Sequence, residues 1–402
     1  MLQNGLFQLI DGYRNEILKT AGKMVQIKAI SPESGGEGEA ERAEFLGQLL
    51  KEMGFEPRRY DYKDDHGSVR PNIIVKYGNE KATLWIIPHM DTVSEGDPSL
   101  WTHDPFTLYV EGDTLYGRGI NDDGQDVLAS IYALKALKES GAKLRYNYGL
   151  AIVADEELGS KYGISKLIEE GIFGKDDMFM VPDGGNHKGD EIEIAEKGIL
   201  WLKISVHGKQ VHASTPQMGV NAYRKAIEFL AEADKMLHSK YSIRNKVFQP
   251  DVSTFEMTKH EKNTDSVNII PGLDVSYIDC RVLPDYRLDD IVADMKGLAS
   301  RPEFSDTRIE IEVANQEDPT APTSIDAEVV KLTIDSVRHV LGIEPKAVGI
   351  GGGTCASFFR KKGMPAVVWS KKFDIAHQPN EYALLSDILV DAKVFADMCA
   401  EK

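Results

Sequence analysis

The sequence predicts an α/β protein: a mostly parallel sheet covered by helices, into which a second domain, a βαββαβ ferredoxin-like unit, is inserted. Three observations lead there. From Ile73 to about Val181, short apolar runs alternate with segments of helical spacing, as in a layered sheet-and-helix domain. From Gly198 the order changes to strand, helix, strand, strand, helix, strand, a unit able to bury its own face. After Asp318 the first pattern returns. The expected organisation is a catalytic-size domain formed by 1–198 and 318–402, interrupted by 199–317, an insert of common domain length.

The elements follow in order. MLQNGLFQLIDGYRNEILKT sets Leu6, Leu9, Ile10, Tyr13, Ile17 and Leu18 at helical spacing, an amphipathic helix rather than the apolar block of a signal peptide. PESGGEGEAERAEFLGQLLKEMGF gives a Gly-rich approach to a second helix. NIIVKYG, ATLWIIPHMD, YGLAIVADEE and DMFMVPDGG read as strands of the layered sheet, with LASIYALKALKESG and SKYGISKLIEEG as helices between them. In the insert, ILWLKISVHG, DVSTFEMTKH, GLDVSYIDCRVLP and RIEIEVANQ are the strands, and NAYRKAIEFLAEADKMLHSKY and LDDIVADMKGLAS the helices. AEVVKLTIDSVRHVLGI, KAVGIGGGTCASFFRKKG, MPAVVWSKK and a helix from about Leu384 complete the first domain.

Composition narrows the function classes. Of 402 residues, 42% are hydrophobic and 28% charged, ordinary values for a globular chain. With 47 basic against 64 acidic side chains the formal charge is −17, which repels nucleic-acid phosphate and anionic membrane surfaces, and no Lys/Arg run reverses it locally. Cys280, Cys355 and Cys399 are odd in number and scattered, which argues against a disulfide framework, fits a reducing compartment and lacks the spacing of a thiolate zinc site. No apolar run approaches the roughly 20 residues of a membrane-spanning helix. A cytoplasmic location is expected.

In a parallel sheet, ligands gather beyond the C-terminal ends of the strands. Five such places carry metal-seeking side chains: His89 and Asp91 in HMD, Asp122 and Asp123 in YGRGINDDG, Glu156 and Glu157 in ADEELGS, Asp183 in VPDGG, and His377 in HQPNE. Taken singly, each has a plain explanation, such as a polar turn, a loop histidine, or acids favoured by a helix N-terminus. Together they would require every strand end to collect histidine or carboxylate by accident. Two imidazoles and three carboxylates, one of them able to bridge, make the donor set of a two-zinc hydrolytic site; mixed oxygen and imidazole donors also admit Mn²⁺ or Co²⁺.

HMD, YGRGxxDD, ADEELGS, VPDGG and HQPNE, in this order and with a four-stranded insert between the last two, resemble the dinuclear-zinc family of glutamate carboxypeptidase, bacterial dipeptidases, aminoacylase, acetylornithine deacetylase and succinyl-diaminopimelate desuccinylase. The resemblance covers essentially the whole chain. It implies that His89 and Asp183 bind one metal, Glu157 and His377 the other, and that Asp122 bridges both across a cis Asp122–Asp123 peptide bond. It further implies that Asp91 orients His89 and that Glu156 is the general base. Asp155 receives no role beyond support of its loop.

From the insert, which the resemblance makes a lid and dimerisation domain, His212 would donate to the oxyanion in the partner subunit of a homodimer. Asn268 and Arg281 would bind substrate, Arg281 through a two-pronged contact with a free carboxylate; a structural ion pair is the other reading of Arg281. The backbone around Gly353 and the Thr354 hydroxyl would hold the same carboxylate. The chain departs from the family after the Asp-Asp pair, where many relatives have Lys-Gly and this chain has Gly124-Gln125. Asp at position 183 tilts the expected activity toward a dipeptidase or related exopeptidase. An N-acyl-amino-acid deacylase needs the same residues, and a non-catalytic metal or peptide binder should have lost the base.

Overall fold

The computed structural model describes residues 2–401, with side chains described from residue 5 onward. It divides into two compact units: residues 1–194, 323–347 and 354–402 form the first, and residues 195–322 and 348–353 the second.

An eight-stranded mixed sheet runs Arg58–Lys63, Val69–Tyr77, Asn147–Ile152, Thr83–Ile86, Met178–Val181, Ala366–Val368, Glu191–Glu196, Lys346–Ile350. Its four middle strands, from Asn147–Ile152 to Ala366–Val368, are parallel. They are buried along their whole length, as strands with both faces covered must be. The NIIVKYG strand, read from the sequence as part of the parallel layering, instead pairs antiparallel on both sides. The causes are local: a tight turn joins it to Arg58–Lys63, and only residues 78–82 link it to Thr83–Ile86, which runs parallel to Asn147–Ile152, so the chain reverses at both ends without the crossover of a dozen or more residues that a parallel pairing needs. Asp64 ties that turn, its Oδ1 accepting from the backbone N–H of His66 at 2.9 Å and Ser68 at 2.8 Å.

Trp85, Phe173, Phe179 and Phe359 pack together against the sheet, Trp85 edge-on to Phe173 at 5.2 Å and Phe179 stacked on Phe359 at 3.8 Å. Gly149, on the neighbouring strand, leaves room for the indole: a Cβ there would lie 2.4 Å from the Trp85 ring. The helix Gln125–Ser140 is buried on nearly every side, packed against Leu385–Cys399, so its N-terminus, where Asp122 and Asp123 stand, is held from within the core.

In the second unit the strands run Thr254–His260, Leu273–Val282, Gly198–His207, Arg308–Glu317, antiparallel throughout. The helices Ala222–Lys240 and Leu288–Ala299 bury Phe229, Ala233, Leu237, Ile291 and Met295 against one face. This is the predicted βαββαβ arrangement, to which a two-residue ladder, Val211–His212 with Ile269–Ile270, is added. No helix of the described residues is long and apolar enough to cross a membrane. Cys280, Cys355 and Cys399 are buried free thiols.

Candidate metal centre

The parallel strands deliver their C-terminal ends to one rim, and His89, Glu156, Glu157 and Asp183 lie just beyond three of them. Asp122 and Asp123 enter from the turn before Gln125–Ser140, where their backbone leaves helical angles and the peptide bond between them is cis. His377 comes from the loop after Ala366–Val368, with φ 65°.

These residues meet in two groups sharing Asp122. One donor atom from each of His89, Asp122 and Asp183 lies within 4.8 Å of the others, and the same holds for Asp122, Glu157 and His377. The Asp122 carboxylate stands between the two imidazoles, with Oδ1 3.0 Å from His89 Nε2 and Oδ2 3.1 Å from His377 Nε2. Glu157 lies 3.0 Å from His377 Nε2. Glu156 belongs to neither group. Two imidazoles and three carboxylates converging on two small volumes fit a pair of divalent cations in donor type and in placement.

The electrostatics point the same way. Burial, then the neighbouring carboxylates, outweigh the nearby cations and push Asp183 up to about 7. Burial and Asp183 push Glu156 well above the usual carboxyl range. Hydrogen bonds to Asp122 and Glu157 raise His377 to about 10. Burial opposes charge on Asp122, but hydrogen bonds from His377 and His89 hold its carboxyl well below the ordinary value. Several acids sharing one buried space suppress one another's ionisation, and bound cations would relieve them.

The supports are as specific as the donors. Asp91 Oδ1 lies 3.4 Å from His89 Nδ1, on the ring side opposite Asp122. Both oxygens of Asp91 also accept backbone N–H groups, from Glu156 and Glu157, each at 3.1 Å. One carboxylate thus ties the first histidine to the loop with the paired glutamates, as outer partners of metal-binding imidazoles do. Asp155, in the left-handed region at φ 66°, pairs with fully buried Arg70 at 3.1 Å, and Arg70 also holds buried Glu39 at 2.5 Å. Arg42 donates to the carbonyls of Met24, Ile27 and Met90, fixing the His89–Asp91 segment from below. Glu381 accepts from Arg118 Nη1 at 2.6 Å and from the backbone N–H of Gly119, Asn121 and Asp122. Gly124 is required: a Cβ there would lie 2.3 Å from the Gly119 carbonyl oxygen.

In the second unit, His212 and Asn268 come together. His212 lies on the short ladder, paired with Ile269, and the Asn268 carbonyl accepts from the Ala213 N–H at 2.9 Å. Arg281 is engaged by Asp279 at 2.8 and 3.1 Å and donates to the Gly351 carbonyl at 3.1 Å, the ion-pair arrangement that the sequence left open. Gly353 belongs to this unit. In the first unit, the Thr354 hydroxyl accepts from the Ala356 N–H at 3.1 Å at the start of Ala356–Lys361.

Residues 85–401 match the family model described as Peptidase family M20/M25/M40. The chain belongs to that family. An uncharacterized metallohydrolase of Methanocaldococcus jannaschii is 36% identical over 405 residues, covering 95% of this chain and 98% of its own. A succinyl-diaminopimelate desuccinylase of Alkalilimnicola ehrlichii is 26% identical over 388 residues, covering 95% and 97%. Among solved structures, human carnosine dipeptidase 1 superposes with a TM-score of 0.75 at 18% identity, covering 99% of this chain and 98% of its own, a likeness of fold. The chain is therefore an M20 metallohydrolase, an enzyme of the peptidase and deacylase type.

Six residues that support the candidate site escaped the sequence reading: Glu39, Arg42, Arg70, Arg118, Lys372 and Glu381. Glu381 and Arg118 sit inside the HQPNE and YGRG motifs and so left a trace, whereas Arg70 stands ahead of the apolar run at residues 73–75 of its strand. Arg42 and Lys372 lie among ordinary charged neighbours and left none.

Proposed function

We propose that the enzyme hydrolyses the amide bond of a small substrate with a free carboxylate, as a dipeptidase or related exopeptidase, with two divalent ions at His89/Asp122/Asp183 and Asp122/Glu157/His377. The observation that carries this reading is the Asp122 carboxylate set between two imidazoles, with Glu156 a member of neither group but close enough to interact with the charges of Asp183, His89 and Glu157. Zinc suits the imidazole and carboxylate donors best, with Mn²⁺ and Co²⁺ as the other candidates. When bound, the ions would supply an acidified water and polarise the scissile carbonyl. Glu156 is the group that would take up a proton from the attacking water and return it to the leaving amine. Asp91 keeps His89 in one ring orientation and, through the two backbone N–H groups, keeps Glu156 aimed. His212 donates to the oxyanion across a homodimer, and Asn268, Arg281, the backbone at Gly353 and Thr354 bind the substrate, Arg281 exchanging Asp279 for the substrate carboxylate.

The 26% identical desuccinylase supports a second reading, an N-acyl-amino-acid deacylase with the same donors and base. A panel of dipeptides against N-acetyl and N-succinyl amino acids, each with Zn²⁺, Mn²⁺ or Co²⁺, separates them. Turnover of dipeptides alone is expected. Turnover confined to the acyl amino acids would select the second reading, and none in either class would overturn both.

A further inference from the structure

Lys372 is a buried ammonium that the hydrolytic scheme does not use. It stands past Ala366–Val368 with 8% of its side chain exposed, 3.2 Å from Asp123 Oδ1, 3.1 Å from Asp126 Oδ2 and 3.9 Å from Asp183 Oδ1. Its carboxylate neighbours are themselves anchored. Asp123 turns its other oxygen to the His89 backbone N–H at 3.1 Å. Asp126 accepts from the Ser370 hydroxyl at 2.8 Å. A cation fixed among so many acids costs desolvation, and it persists only because every partner is in place.

The contacts are lopsided. Lys372 reaches Asp183 directly and His89 through Asp123, and these are the two donors peculiar to one metal group. Among the described residues it forms no ion pair with Glu157, the carboxylate peculiar to the other. Charge attraction alone would act on both groups; the hydrogen-bonded chain through Asp123 acts on one.

We propose that Lys372 is a positioning residue for one of the two ions: it holds Asp183 and His89 in register and so sets the affinity of the His89/Asp122/Asp183 subsite independently of the Asp122/Glu157/His377 subsite. This rests on the two-ion reading above. An ammonium 3.9 Å from Asp183 Oδ1 attracts that carboxylate without a hydrogen bond, which leaves its oxygens open to an ion and discourages the side chain from swinging away. It also balances the charge of the Asp123 and Asp126 carboxylates.

The test is calorimetric titration of the metal-free full-length chain with Co²⁺ alone. The wild type is expected to take up two ions, and fewer than two would overturn the two-ion reading and this inference with it, before Lys372 is altered. His377→Ala then isolates the first subsite and His89→Ala the second. Adding Lys372→Met to His377→Ala should weaken Co²⁺ binding about 10- to 100-fold, the usual effect of removing an outer partner of a metal ligand. Adding it to His89→Ala should change binding less than about twofold on the same scale. Lys372→Arg, which keeps the charge, should restore much of the lost affinity. If Lys372→Met fails to fold by circular dichroism, Lys372→Gln, able still to donate to Asp123, should give a smaller loss confined to the same subsite. Equal weakening of both subsites, or none in the first, overturns the proposal.

Discussion

Replacing Glu156 by Gln is the most discriminating single change to the proposed chemistry. The amide matches the carboxylate in size, and Asp91 holds this loop through the backbone N–H of residue 156 rather than through its side chain, so the loop should stay in place. Neither donor group includes Glu156, so both ions should stay as well. What disappears is a group able to take up and release a proton. Positioned general bases contribute about 10²- to 10⁴-fold, or roughly 3–5 kcal/mol of transition-state stabilisation. The expected result is a kcat lowered by at least about two decades with KM little changed, the pattern of an interaction made only in the transition state. Steady-state kinetics at saturating metal, with metal content measured by atomic emission on the same sample, gives both halves of the comparison. Turnover near the wild-type rate would refute the base assignment. A matching loss of bound metal would show that residue 156 is a ligand.

Other changes probe different parts of the site. Asp122→Ala should lose both ions and His89→Ala one, read as metal per chain. Arg70→Met leaves buried Glu39 and Asp155 without their cation, and a loss of about 3–5 kcal/mol is expected in urea denaturation; an unchanged midpoint would mean that the pair adds nothing to stability. In the metal-free chain, Asp183 and His377 both titrate above their unfolded values, at about 7 and about 10, so the folded state binds the extra protons. Their stabilisation is complete below the unfolded values, near 4 and 6.5, and fades as pH rises through 7 and then 10. The urea midpoint should fall over that range, and a midpoint that rises with pH would contradict it. Mixing inactive His212→Ala and Glu156→Gln chains should restore activity in heterodimers if His212 serves the partner's site; verified heterodimers without activity would place it elsewhere.

The order and type of the candidate donors that the structure brings together were legible in the sequence because strand ends are local features. An apolar run that stops at HMD, ADEE or VPDGG shows both where a strand ends and what it presents, whatever lies elsewhere. The βαββαβ insert was legible for the same reason, since its periodicity repeats within a few residues. Direction was less so: Val69–Tyr77 runs antiparallel because short connections reverse the chain at both of its ends, and apolar content alone does not distinguish the two pairings. Which oxygen of Asp122 faces which histidine, and that Asp91 holds two backbone N–H groups besides its imidazole, depend on segments far apart in the chain. Arg70 meets Asp155, and Lys372 meets Asp123, only once the sheet and the central helix are packed. A lysine in SKKFD carries no mark of burial, because its surroundings are made by residues some 250 positions away. The sequence by itself determined which chemical groups the strand ends offer; only the tertiary structure decided which charges share a dry space, and there low polarity and hydrogen bonding decide what each charge can do.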